Sequence, residues 1–408
     1  MKTSERRAQR STRGLWTRLA GILIGALIAG SLIGSLTLPI SQAAAKAHLV
    51  TKLGTTLNVS VSPPLVWPSS SSAAFAIPSA GVRISSHDTV RPIASLTKMM
   101  TAYVTLRHLP LVQGATGPCV TITADDVATF SQMSGSDQSS VRVVEGESLC
   151  ESQLLAGLLI HSANNFSLLL ASMVAGNSQK FVRLMNQTAR TLGLSHTHYV
   201  EPSGYLSSSV STASEQVTLA EVLMRSSLVR ALVIQPSVAL PVAGTVTSFT
   251  PLVGTHNVIG VKSGHTAEAG GCDAMAMTYL DGRTTRVVYS VILGIRGAND
   301  LALAGKAALD LATTALANER SWRISNRETI ARVGWGPRVI PVTLRRSAVV
   351  HWWVPTGFKL VLHLRTITTA LRKGQIVGWL GVRGSSTTRL ALVAQGSVSP
   401  PSFWQRLR

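Results

Sequence analysis

Apolar and polar positions divide the chain into stretches with different periods. Residues 152–160, SQLLAGLLI, and 166–176, FSLLLASMVAG, carry apolar side chains at helical spacing, and the polar break between them reads HSANN. A third helix is predicted over SQKFVRLMNQTARTLG, where Phe181, Leu184, Met185 and Leu192 share a face and Gly193 ends the run. Two more are predicted from near Ser95, in PIASLTKMMTAYVTL, and over DLALAGKAALDLATTAL. Strand signals fall at AAFAIP, followed by a turn at Gly81, at CVTIT and GESLC, and at NVIGVKSGHT and RVVYSVILGI. Strands at both ends with helices between predict an α+β domain over residues 73–318. From residue 319 the text changes to short β-like runs, PVTLRRSAVVHWWV, FKLVLHL and IVGWLGV, so residues 319–408 are expected to form a small all-β domain.

The first residues follow neither pattern. Six basic residues from Lys2 to Arg18 precede an uncharged stretch from Leu19 to Leu38, then Pro39 and the run Ala43-Ala44-Ala45. Residues 1–46 are therefore expected to be a signal peptide or an N-terminal membrane anchor, with the rest of the chain delivered outside the membrane. Residues 47–72 include VSVSPPLVWPSSSS, whose Ser and Pro content predicts an extended linker.

Charge sharpens this division. The formal net charge is +20, but residues 1–46 carry seven Lys/Arg against one acid and residues 320–408 carry fifteen against one. Sixteen of each sign remain between them, so the middle of the chain is neutral. The C-terminal part also holds six of the eight Trp. Such a region would hold anionic membrane or wall polymer by charge, with aromatic rings adding apolar contact, unless the Trp side chains simply fill a small core. No nucleic-acid partner is expected. Three cysteines are too few for a disulfide-built scaffold. Metal-ligand spacing is absent, His196 and His198 read as solvated loop residues, and no cofactor or metal is called for.

The candidate chemistry lies in three short motifs. Ser95 and Lys98 stand three residues apart, close enough on a helix for the amine to take the serine's proton if its pKa is lowered. Alone, this spacing also suits an N-capping serine beside a solvated lysine. Ser162-Ala163-Asn164 lies in the break between two apolar helices, where polar side chains need partners or a cavity. Lys262-Ser263-Gly264 ends a predicted strand. The order S-x-x-K, S-x-N, K-[ST]-G on an exported chain is a specific signal.

These motifs resemble those of the low-molecular-mass penicillin-binding proteins that act as serine-type D-alanyl-D-alanine carboxypeptidases. The resemblance extends to ASLTKMMTAYV, to FVRLMNQTARTLGLSHTHYVEPSGY with STASEQ, to KSGHTAEAGGC and to LRKGQIVGWLGV, about residues 73–400. It implies a penicillin-recognising, β-lactamase-like α+β catalytic domain followed by the small β domain. By the same resemblance, Ser95 would attack the D-Ala-D-Ala carbonyl of a peptidoglycan stem peptide while Lys98 takes its proton. Ser162 would pass a proton to the departing D-alanine, and Asn164 would hold the peptide amide and Lys98. Lys262 and Ser263 would bind the terminal carboxylate, Gly264 would leave the strand edge open, and the Ser95 and His265 amides would form the oxyanion hole. β-Lactams would be covalent inhibitors. Cys119 and Cys150, on segments that lie side by side in the family, would be a candidate disulfide, leaving Cys272 free.

The sequence departs from the family pattern at Ala163, Asn165, Ser263 and Tyr205, and none of these changes removes a catalytic atom. A class A β-lactamase shares the three motifs, and Glu201-Pro202 invites the comparison, but the asparagine expected after that glutamate is missing. The motifs also leave room for a DD-endopeptidase on the same machinery and for a non-catalytic wall-binding homologue.

Overall fold

The computed structural model describes residues 46–49, 64–356, 359–383 and 389–402. The expected export segment and most of the expected linker lie outside the described residues.

A five-stranded antiparallel sheet forms the first half of the architecture, in the order Val258–Thr266, Gly270–Asp281, Thr284–Ile295, Ser72–Ile77, Val82–Ser86. Helix Asp300–Leu316 covers one face, packing Ala308, Leu311, Ala312 and Ala315 against Phe75, Met275, Val288 and Ile292. Helices Thr97–His108, Glu151–Leu159, Asn164–Ala175, Ser178–Thr191 and Ala213–Leu223 fill the other side and share one buried apolar core with the sheet. Tight packing in that core fixes how the helices meet. Phe166 is fully buried, and a Cβ placed on Gly157 would come within 2.5 Å of its ring. Truncating Phe166 to Ala would cost about 3–5 kcal/mol.

The strand pair Cys119–Thr121 and Ser148–Cys150 closes an excursion from this helical layer, and the two cysteines are joined as a disulfide across the pair. Cys272 is buried and free. The excursion contains helix Ala124–Gly135, which the apolar pattern shows poorly because it fully buries no residue and only half-buries Val127 and Phe130 against the core. Its clearest sequence mark is the capping box in which Thr123 and Asp126 bond each other's backbone N–H.

The C-terminal part forms a six-stranded sheet, in the order Lys46–Leu49, Ala331–Trp335, Arg338–Leu344, Arg389–Ala394, Ile376–Arg383, Lys359–Leu364, with Glu319–Ile324 and Ala348–Trp353 paired beside it. Residues 47–49, expected as linker, are instead a strand whose partner is Ala331–Trp335. Its four residues offered too little pattern to be read without that partner. The tryptophans favour the core-filling alternative. Trp335 and Trp352 lie in the core of this part, and Trp353 packs on Phe75, with Nε1 donating to the Ala315 carbonyl at 2.9 Å. Beside this seam, the His351 imidazole sits between the carboxylates of Asp281 (2.9 Å) and Glu319 (3.4 Å). Among the described residues, no helix is long and apolar enough to cross a membrane.

Candidate active site

Ser95 is presented by a sharp turn. Ala94 has φ 46°, and Ala94–Leu96 forms one 3-10 turn before helix Thr97–His108 begins. The tighter winding brings residues three apart nearly into line. Lys98 Nζ consequently lies 2.8 Å from Ser95 Oγ and donates to the Ser203 carbonyl at 2.7 Å. The Lys98 side chain is fully buried. Burial holds its pKa well below the usual lysine range, the Lys262 charge lowers it further, and Glu201 opposes both.

Ser203 is fixed by its own turn. Glu201 accepts from the Ser203 N–H and hydroxyl, both at 2.6 Å, and from the Gly204 N–H. Gly204 has φ 83°, and a Cβ there would fall 1.8 Å from the Ala94 carbonyl oxygen. Only glycine fits against the nucleophile turn at this point. The segment EPSG therefore supplies part of the site through backbone. Ser203 and Gly204 are positions of the candidate site that the motif reading did not name, and Glu201, named there only for the β-lactamase comparison, orders their turn. Tyr205, the next residue, is 46% exposed and stands beside this turn.

The third motif lies on edge strand Val258–Thr266. A Cβ on Gly264 would come 2.5 Å from the Ser95 amide nitrogen, so the strand runs directly alongside the nucleophile. Gly264 thus does more than leave an edge open: it permits the contact. Lys262 is fully buried, with Nζ donating to the Ser263 carbonyl at 2.7 Å. Burial lowers its pKa to about 7, against the pull of Asp273. Asp273 lies opposite Ser263 on the neighbouring strand, and its carboxyl is buried without a hydrogen-bond partner among the described residues. Burial raises its pKa well above the usual range, against the Lys262 charge. The half-exposed His265 ring bonds the Asp300 carboxylate at 2.9 Å.

The second motif opens helix Asn164–Ala175. Ser162 has φ 62°, and its buried hydroxyl has no hydrogen-bond partner among the described residues. Asn164 Nδ2 donates to Gln138 Oε1 (2.9 Å), and its backbone N–H donates to the Ser139 carbonyl (2.8 Å). The expected hold of Asn164 on Lys98 is not made, because the Asn164 amide turns to the disulfide-closed excursion and Lys98 finds Ser203 instead. Asn165 explains one departure from the family pattern: it accepts from the Val141 N–H (3.0 Å) and donates to the Val141 carbonyl (2.8 Å). An ionised aspartate could only accept.

One short segment ties the second and third motifs together. The Phe249 N–H donates to the Ile160 carbonyl (3.2 Å), and its own carbonyl accepts from Ser263 Oγ (2.8 Å). The His161 ring stacks on the Phe249 ring at 4.7 Å, with Nδ1 2.9 Å from the Thr247 carbonyl. Nothing in the sequence marks Phe249, since its role comes from backbone atoms and a through-space contact.

Comparison with known proteins places this geometry. The peptidase S11 family, D-alanyl-D-alanine carboxypeptidase, matches residues 81–296, more than half of the chain. The chain is 36% identical to a D-alanyl-D-alanine endopeptidase of Pseudomonas aeruginosa over 135 residues, 32% of this chain and 39% of that protein. It is 33% identical to the D-alanyl-D-alanine carboxypeptidase DacA of Escherichia coli strain K12 over 140 residues, 34% of each. These matches span about two fifths or less of the length of the relatives. Penicillin-binding protein 6B from Escherichia coli has the same fold, with TM-score 0.61 and 22% identity over 83% of this chain and 98% of that one.

Proposed function

Because the chain belongs to the D-alanyl-D-alanine carboxypeptidase family of serine peptidases, we propose that it removes the terminal D-alanine from peptidoglycan stem peptides through an acyl-enzyme on Ser95. The observation that carries this reading is the fully buried Lys98 amine 2.8 Å from Ser95 Oγ.

Burial lowers the pKa of Lys98 and so favours its neutral amine, the form this step uses. One N–H stays on the Ser203 carbonyl, and the lone pair receives the Ser95 proton as Oγ attacks the penultimate D-alanine carbonyl. The negative oxygen that forms is met by the Ser95 and His265 N–H groups, each such donor contributing about 3 kcal/mol. Ser162, whose hydroxyl has no partner among the described residues, relays the proton to the departing amine as the C–N bond breaks. Water then releases the shortened peptide from Ser95. Lys262 in its ammonium form binds the terminal carboxylate, joined by Ser263 once its hydroxyl leaves the Phe249 carbonyl, and Asn164, whose NH2 is held by Gln138, offers its side-chain oxygen to the peptide N–H. By the same chemistry, β-lactams acylate Ser95.

A class A β-lactamase role is disfavoured by Glu201, whose carboxylate is occupied by the Ser203 and Gly204 donors of its own turn. Action outside the membrane fits the Cys119–Cys150 disulfide, since oxidising compartments sustain such bridges. Whether residues 1–46 are cleaved or kept as an anchor bears on location, not on chemistry.

DD-endopeptidase action is a second reading, favoured by the 36% identity to the Pseudomonas aeruginosa endopeptidase. Release of D-alanine from a defined pentapeptide, measured beside cleavage of a cross-linked dimer, separates the two. Faster turnover of the pentapeptide is expected. Cleavage of the dimer alone would replace the first reading with the second.

A further inference from the structure

The arginines of the C-terminal sheet are arranged differently from every cation in the active site. Among the described residues, no arginine between 320 and 402 forms an ion pair. Three of them, Arg345, Arg346 and Arg389, line one groove of about 390 Å³ and are exposed.

The groove is lined by residues 345–348 and 389–391, and register shows what borders it. Opposed residues of an antiparallel pair share a face of the sheet. His363 stands opposite Trp379, Trp379 opposite Ala391, and the Arg345 N–H donates to the Ala391 carbonyl at 2.8 Å. One row thus runs His363, Trp379, Ala391, Arg345, with the small Ala391 as floor between two large neighbours. Arg389 stands opposite Gly381 on the same face. The turn carrying Arg345 and Arg346 is fixed at its far end by Ser347, whose hydroxyl bonds the Asn326 N–H (3.0 Å) and side-chain oxygen (3.1 Å).

The aromatic residues decide what such a groove holds. A bilayer contact needs rings or apolar side chains free to enter the interface. Here Trp379 is covered by the His363 ring (3.6 Å) and by the Arg389 guanidinium (4.7 Å). Trp335, Trp352 and Trp353 are no more than 6% exposed. Trp322 and Trp379 are half-buried against this part, so the described tryptophans leave little free ring surface, and what the groove offers is guanidinium charge along a concave floor. Guanidinium groups keep their charge at all working pH values and match phosphate oxygens two at a time.

We infer that this groove binds a linear anionic polymer of the envelope with phosphodiester repeats, holding the enzyme against its substrate layer. The source of the polymer rests on the wall-peptide function proposed for the active site; the recognition chemistry does not.

The test uses the full chain in non-ionic detergent with dye-labelled poly(glycerol phosphate), followed by fluorescence anisotropy. Binding at low salt that weakens as salt rises is expected, because exposed charges are screened. The variant Arg345→Glu/Arg346→Glu/Arg389→Glu should bind at least about tenfold more weakly, and Arg389→Gln alone by a smaller factor. Labelling of Ser95 by penicillin should be unchanged in both, which reports folding and keeps the peptidase function separate. Vesicles of equal phosphatidylglycerol and phosphatidylcholine should bind wild type and variant alike. Undiminished polymer binding by the triple variant would overturn the proposal, as would charge reversal that releases the chain from vesicles alone.

Discussion

The catalytic part and the C-terminal sheet both depend on basic residues, but they place them on opposite sides of the protein surface. Lys98 and Lys262 are fully buried, and burial pulls both pKa values down. Arg345, Arg346 and Arg389 stand in water with no acidic partner among the described residues. Burial turns a lysine into a reagent whose proton can move, whereas exposure leaves an arginine as a fixed charge for steering and contact. Within the catalytic part the same contrast recurs on a finer scale. Burial is the main cause in both; Lys98 is lowered further by the Lys262 charge against the pull of Glu201, whereas Lys262 has Asp273 pulling its pKa back up.

The largest effect should come from removing the buried base. Lys98→Ala is expected to slow acylation of Ser95 by about 10³-fold or more, within the range for loss of a positioned proton acceptor. Stopped-flow measurement with a fluorescent penicillin checks this. Near-wild-type acylation would remove Lys98 from the role of base.

Lys262 comes next, and its effect should depend on the substrate's end group. Lys262→Ala is expected to lose about 10²-fold in kcat/KM on a peptide with a free carboxylate and much less on its amide. The pH profile gives the sign. Lys98 must be neutral, so activity rises with pH through its lowered pKa. Lys262 must be charged, so carboxylate binding falls as pH rises through about 7 in the free enzyme. Lys262→Arg should move the alkaline limb upward, since a guanidinium does not deprotonate there. An unmoved limb would assign it to another group.

A smaller effect is expected at the bridge between motifs. His161→Ala removes the stack on Phe249 and the bond to the Thr247 carbonyl, and should lower kcat about tenfold with little change in KM. His161→Phe, which keeps the stack, should recover part of that loss. Equal losses in both variants would give the role to the hydrogen bond.

How much of this could be read from the sequence follows from where each feature stores its information. The α+β order was legible because helices such as Ser178–Thr191 bury Phe181 and Met185 at regular spacing. Helix Ala124–Gly135 was not, because it only half-buries Val127 and Phe130 and its clearest sequence mark is a cap. Lys46–Leu49 was not, because its partner strand lies far along the chain. In the site, each motif is contiguous and therefore visible. The Ser203 carbonyl that holds Lys98 is a backbone atom with no letter of its own, and the His161–Phe249 stack joins residues distant in sequence. The Cys119–Cys150 bridge came from family resemblance, and cross-strand pairing places it. By restricting the unfolded chain over a separation of 31 residues, it would contribute about 3–4 kcal/mol.

The proposed chemistry stands on Ser95 as the nucleophile and on buried Lys98 as the group that activates it. Peptide mapping by mass spectrometry after exposure to a labelled penicillin, repeated across pH, tests both parts at once. One adduct is expected, on Ser95, forming more slowly as falling pH protonates Lys98. An adduct on another residue, or labelling that persists in Ser95→Ala, would show that Ser95 is not the nucleophile.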